Sequence, residues 1–267
     1  MKYFCPAHLM QKPIKVAVVG VGGTGGEVID ALTRLDAGLR ALGHEYGLRV
    51  TAYDDDIVEQ HNVGRQRFSL SDVGHHKAIT LINRTNMFYA LNWHGVPRHF
   101  KPDIADWGHF DIVIGCTDKA KFRVDLGKTS IQTKPNTPEA RQSPVLWLDF
   151  GNGQVDGQAV LGHLRQGSDP YYLPNVFDLY PSLDNPDLDI ESGPRCSLAE
   201  ALEGPDGQDL FVNSTLAKMG MNLLWQLLTK GQLEAHGAQI NVRELTSRPM
   251  KIDPVAWSFM GYESYRN

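Results

Sequence analysis

Over the first 150 positions, short apolar runs alternate with stretches of helical periodicity, and most of the runs stop at glycine or aspartate. Ile14-Lys15-Val16-Ala17-Val18-Val19 is β-branched and leads into glycines, the pattern of a buried parallel strand. From about Gly26 to Leu42, Val28, Ile29, Leu32, Leu35 and Leu39 recur at helical spacing. Leu48 to Tyr53 reads as a second strand and leads into Asp54, Asp55 and Asp56. His76 to Asn92 predicts a helix, Phe110 to Gly115 a further buried strand, Lys119 to Gly127 a helix, and Pro144 to Phe150 the next strand. This alternation predicts an α/β fold: a Rossmann-like, mostly parallel sheet with helices on both faces.

The pattern loosens afterwards. A Gly151-Asn152-Gly153 turn precedes a strand-like stretch from Gln158 to His163, and residues 166–195 are rich in Pro, Asp, Tyr and Ser without a clean period. That segment predicts a long crossing loop or lid. A strong helix is expected from about Asp209 to Leu228, with Phe211, Leu216, Met219, Leu223, Leu224 and Leu227 as its apolar face.

Composition narrows the class. A formal net charge of −5 offers no basic nucleic-acid surface, and no apolar run nears the roughly 18 residues that span a membrane. The start lacks the apolar core of a signal peptide, so a cytoplasmic location is expected. Three widely spaced cysteines, Cys5, Cys116 and Cys196, suit a reducing compartment and leave an all-cysteine zinc site one thiolate short.

Gly20-Val21-Gly22-Gly23-Thr24-Gly25 follows a strand and opens a helix, the context of a phosphate-binding turn. By itself this pattern does not distinguish NAD from ATP, and a purely structural glycine turn stays open. Asp54, at the end of the second strand, is placed to accept hydrogen bonds from ribose hydroxyls. Arg65, Gln66 and Lys77 follow closely, with Asn62 just ahead of them, and Asp118 stands at the end of a later strand. Cations there suit phosphoryl chemistry, and a carboxylate can hold Mg²⁺ against a triphosphate. Singly, Arg65 and Lys77 read as surface charges and Asp118 as a helix N-cap. Together, at these strand ends, they favour ATP.

These residues carry a family resemblance. Gly20-x-Gly-Gly-x-Gly, Asp54-x-Asp56-x-Val58-Glu59-x-x-Asn62-x-x-Arg65-Gln66, Gly74-x-x-Lys77-Ala78 and Cys116-Thr117-Asp118 resemble the ThiF/MoeB/HesA family, which includes the adenylation domains of ubiquitin-activating enzymes. The Ser197 to Leu202 stretch also looks similar to ThiF-like proteins of bacterial PRTRC plasmid or genomic-island systems. The resemblance implies a single adenylation domain over residues 1–267: a nucleotide-binding core (14–165), a crossing loop (166–208), and a C-terminal helix with strands (209–267). It implies ATP and Mg²⁺ as cofactors, and as partner a ubiquitin-like protein whose C-terminal glycine is adenylated. A conjugating-enzyme-like acceptor and a homodimer are further expectations. Gly20, Gly22, Gly23, Gly25, Asp54, Asp56, Asn62 and Gln66 would bind the nucleotide, Arg65 and Lys77 would serve its phosphates, and Asp118 would position the metal.

Two departures stand out. The paired Cys-x-x-Cys zinc ligands of many relatives are missing from the C-terminal half, so no zinc is expected. None of the residues before Ile14 is the arginine that many relatives donate across a dimer; either another arginine substitutes, with Arg67 the nearby candidate, or that arginine is missing. Cys196, in Gly193-Pro194-Arg195-Cys196-Ser197, is either the acceptor of a thioester or a structural thiol; Cys116 reads as a packed small residue. Adenylation of a small molecule or a tRNA base, and a silent scaffold, are the competing functions. A nicotinamide oxidoreductase ranks last, because it gives the cations and Asp118 no purpose.

Overall fold

In the computed structural model, which describes residues 1–132, 143–167, 169, 171–185 and 208–262, strand and helix alternate much as the periodicity predicts. In chain order the strands are β1 (Tyr3–Phe4), β2 (Ile14–Val19), β3 (Leu48–Tyr53), β4 (His94–Val96), β5 (Ile112–Gly115), β6 (Val145–Asn152), β7 (Asp156–Arg165), β8 (Gln232–Leu233), β9 (Ala235–Asn241) and β10 (Thr246–Lys251). The helices are α1 (Gly23–Ala41), α2 (Lys77–Tyr89), α3 (Ile104–Trp107), α4 (Ala120–Gln132), α5 (Val176–Leu179), α6 (Val212–Lys230) and α7 (Pro254–Phe259). Eight strands form one sheet in the order β10-β9-β7-β6-β5-β2-β3-β4. From β4 to β6 every pairing is parallel, and β7, β9 and β10 continue the sheet antiparallel.

The burial of the strands explains their composition. Apart from Lys15, every residue of β2 is buried, and all four residues of β5 are. A strand covered on both faces has no polar side to present, hence continuous apolar runs instead of alternation. Right-handed crossovers put α1 and α2 on one face and the β4-to-β5 connection and α4 on the other. Accordingly α1 packs against α2 and α6, while α4 packs against α5 and the turn Pro181–Asp184. Strand order reverses between β2 and β5, which opens the crevice where ligands of such sheets bind.

Several boundaries differ from expectation. Helix α1 starts at Gly23, three residues early, because glycines entering a helix add no apolar signal. Helix α2 stops at Tyr89, not Asn92, where Ala90 turns left-handed (φ 53°). The short edge strand β4 was hidden in the polar stretch after it. Helix α4 runs on to Gln132, past Gly127. Val28, Ile29, Leu32, Leu35 and Leu39 are buried as predicted, but Phe211 is 65% exposed. Phe211 caps α6 and so lies outside the helical stripe. Among the described residues no helix is long and apolar enough to cross a membrane.

Candidate functional site

The glycine turn is shaped by contact with its neighbours. Gly20 has φ +88°, and its N–H donates to the Tyr53 carbonyl at 2.9 Å. A Cβ at Gly25 would overlap the Gly20 carbonyl oxygen, so only glycine closes this turn. Gly22 caps α1 without any side-chain hydrogen bond, and no acidic residue stands in the first turn. The leading N–H groups of a 19-residue helix therefore face the crevice with its positive dipole end.

A cavity of about 490 Å³ opens in front of this helix end, within the range of small-ligand sites. Gly20, Gly22, Gly23, Asp54, Asp56, Arg65, Gln66, Lys77 and Asp118 all line it. Gly25 lies behind the turn, where it serves the backbone. Asn62 is 2% exposed and outside this cavity; its Oδ1 accepts from the Glu59 N–H at 2.8 Å and caps a short turn. Cys196 and the Ser197 to Leu202 stretch fall outside the described residues.

Asp54 ties the strand end to the glycine turn: its carboxylate accepts from the Val21 N–H at 2.6 Å and the Asp56 N–H at 3.0 Å. Burial pushes this carboxyl up, opposed by the Val21 hydrogen bond and the Lys77 charge. Lys77, 7% exposed at the start of α2, pairs with the exposed Asp56 carboxylate at 2.8 Å. Buried ammonium groups need such a partner, and a triphosphate would compete with Asp56 for it. Gln66 presents a buried Oε1 with no hydrogen-bond partner among the described residues, a polar atom the site leaves for a ligand. Exposed Asp118 follows β5 at the opposite wall.

Arg67 does not reach the cavity. Its guanidinium turns to α1, 3.4 Å from Asp30 and 3.7 Å from Glu27, and its stem lies against Gly26. Arg98, which sequence reasoning passed over, does line the cavity. It stacks 5.0 Å from the Tyr53 ring centre, held by paired bonds to Asp106 at 2.7 and 2.9 Å. With Phe100 and Phe122 it forms the flat, partly apolar end of the cavity. Asn213, on α6, was also missed. Its Oδ1 accepts from Thr24 and Asn152, both at 2.8 Å, and its Nδ2 donates to Gln208 at 2.9 Å. The one available signal was a polar residue beside the apolar stripe of α6.

With this geometry in view, comparison with known proteins gives the class. The family model described as the ThiF family matches residues 9–172, more than half of the chain, and the chain belongs to that family. No curated protein sequence matches it. Among solved structures, PaaA superposes with TM-score 0.55 at 16% identity over 90% of this chain and 64% of its own. MccB of E. coli crystallised with ATP gives 0.55 at 18% identity, over 91% and 65%. MccB with MccA-N7isoASN gives 0.55 at 17%, over 91% and 66%. At these identities the likeness establishes the fold. The chain spans 64% to 66% of the length of these proteins.

Proposed function

We propose that this chain adenylates a carboxylate at the end of a protein or peptide, the C-terminal glycine of a ubiquitin-like protein being the substrate expected from the family. The observation that carries the reading is convergence: the uncapped end of α1, Arg65, Lys77 and Asp118 face one cavity. A hydride-transfer site has no use for that set. In this reading the triphosphate lies against the glycine turn, the ribose beside Asp54, and the base toward Arg98, Phe100 and Phe122. Bound MccA-N7isoASN in MccB favours a peptide or protein carboxylate over a small molecule.

The chemistry asks for alignment and charge neutralisation. The substrate carboxylate is already a nucleophile; its oxygen attacks the α-phosphorus, the bond to the bridging oxygen breaks, and pyrophosphate leaves with the electron pair. Arg65, Lys77 and the α1 N–H groups would meet the growing negative charge. Asp118 would hold Mg²⁺, which supplies further positive charge against the triphosphate. Cys196 would then accept the acyl group as a thioester, with release of AMP.

ATP–pyrophosphate exchange tests the reading, using purified protein with ubiquitin-like proteins or peptides ending in glycine. Exchange that needs such a partner is the expected result; tight NAD binding with no exchange under any partner would overturn it. For the thioester, Cys196→Ala should abolish a reductant-sensitive adduct and leave exchange intact. If the adduct survives that change, the thiol is not the acceptor.

A further inference from the structure

The loop that carries Asp118 to the cavity, residues 116–119, joins β5 to α4, and a single buried guanidinium grips it from below. Arg123, 6% exposed, donates from Nη2 to the carbonyls of Thr117 at 2.9 Å and Phe150 at 2.7 Å. A longer contact runs from Nη1 to the Lys119 carbonyl at 3.4 Å. Its Nε donates to Oδ2 of Asp149, 2% exposed, at 2.7 Å. One planar fork thus fixes both carbonyls that flank Asp118 and ties them to β6.

Stability alone is a weak reason for this arrangement. A buried ion pair often does no better than apolar residues of similar volume. This pair is also imperfect: Asp149 Oδ1 is buried with no hydrogen-bond partner among the described residues. Burial pushes the Asp149 carboxyl up, and Arg123 is the charge that opposes it. What apolar residues could not supply is a rigid set of donors aimed at carbonyls two residues apart.

Resting on the adenylation reading above, we propose that Arg123, oriented by Asp149, is a positioning residue that sets Asp118 toward the metal-bearing triphosphate. It touches neither ligand and acts through the loop. Losing it lets Asp118 drift, so nucleotide binding no longer gains from the metal.

The test is a double-mutant cycle on the full chain, reading ATP affinity in Mg²⁺ and in EDTA beside the thermal midpoint. Arg123→Met combined with Asp149→Leu removes both charges and leaves neither stranded. Wild type is expected to bind ATP about tenfold more tightly with Mg²⁺. The double variant should keep its thermal midpoint within a few degrees and lose that gain, and adding Asp118→Asn should cost nothing more. An undiminished Mg²⁺ gain in the double variant, or an undiminished further loss on adding Asp118→Asn, overturns the proposal. Should the double variant not fold, Arg123→Lys keeps the charge but not the fork; it should fold and lose most of the gain, and full retention overturns the proposal. A wild type that binds no ATP would instead overturn the adenylation reading itself, and the proposal with it.

Discussion

Five parallel strands and three antiparallel ones share a single sheet, yet the candidate site belongs almost wholly to the parallel part. The reason is geometric. Parallel strands all end at the same edge, so the turns after β2, β3, β4 and β5 bring Gly20, Asp54, Arg98 and Asp118 to one crevice. Antiparallel strands end alternately at opposite edges and cannot gather loops in this way. The remainder of the chain contributes through α6 and the end of β6, where Asn213 joins Asn152 and Gln208 to Thr24 of α1. Chemistry and scaffold are therefore divided along the sheet, with a small polar bridge between them.

The division makes testable claims. The largest effect is expected at the parallel end: Arg65→Ala should lower ATP–pyrophosphate exchange about 100- to 1,000-fold, with the thermal midpoint nearly unchanged. An equal loss of stability would mean that the residue is structural and blur the division.

Next comes His236 in the antiparallel half. It is fully buried, bonded to the Leu161 carbonyl at 2.9 Å, and accepts from Trp257 Nε1 at 2.9 Å. Burial lowers its pKa to about 4. The unfolded chain binds the proton first, so stability is complete above pH ~6.5 and falls as pH drops toward 4, by about 3 kcal/mol in total. Urea unfolding at pH 7 and pH 4.5 should show this slope in wild type and not in His236→Phe. An unchanged slope would place the acid sensitivity elsewhere.

Smaller again is the bridge. Asn213→Ala strands the Gln208 and Thr24 side chains and should weaken ATP binding by about 1–2 kcal/mol, measured by calorimetry. Unaltered affinity would mean that the two halves are energetically separate. Smallest is Arg67→Ala, expected to change exchange less than twofold, since its guanidinium lies on Glu27 and Asp30 of α1 and away from the cavity. A large loss would show that Arg67 leaves α1 when nucleotide binds.

Periodicity alone placed β2, β3, β5 and β6 and the apolar faces of α1 and α6, because strands buried on both faces and amphipathic helices leave strong local signals. Edge strand β4 and the C-terminal β10 left none, since β4 is only three partly exposed residues and β10 is largely exposed, so neither carries an apolar run. Among the residues lining the cavity, those written into spaced motifs were visible: Gly20, Gly22, Gly23, Asp54, Asp56, Arg65, Gln66, Lys77 and Asp118. Arg98 and Asn213 sit in segments with no motif, and they matter through neighbours distant in the chain.

Sequence was enough to define the α/β class, the glycine turn ahead of α1 and the supply of cations and carboxylates, because glycine conformation, strand burial and residue chemistry act locally. It could not say whether Arg67 or Arg98 reaches the cavity. Folding turned Arg67 onto Glu27 and Asp30 and raised Arg98 over Tyr53. Nor could it show that Asn62 caps a short turn, or that Asp149 reaches Arg123 under the Asp118 loop. Those outcomes depend on which charges and donors the sheet brings within hydrogen-bond distance, and such proximity exists only once the strands have paired.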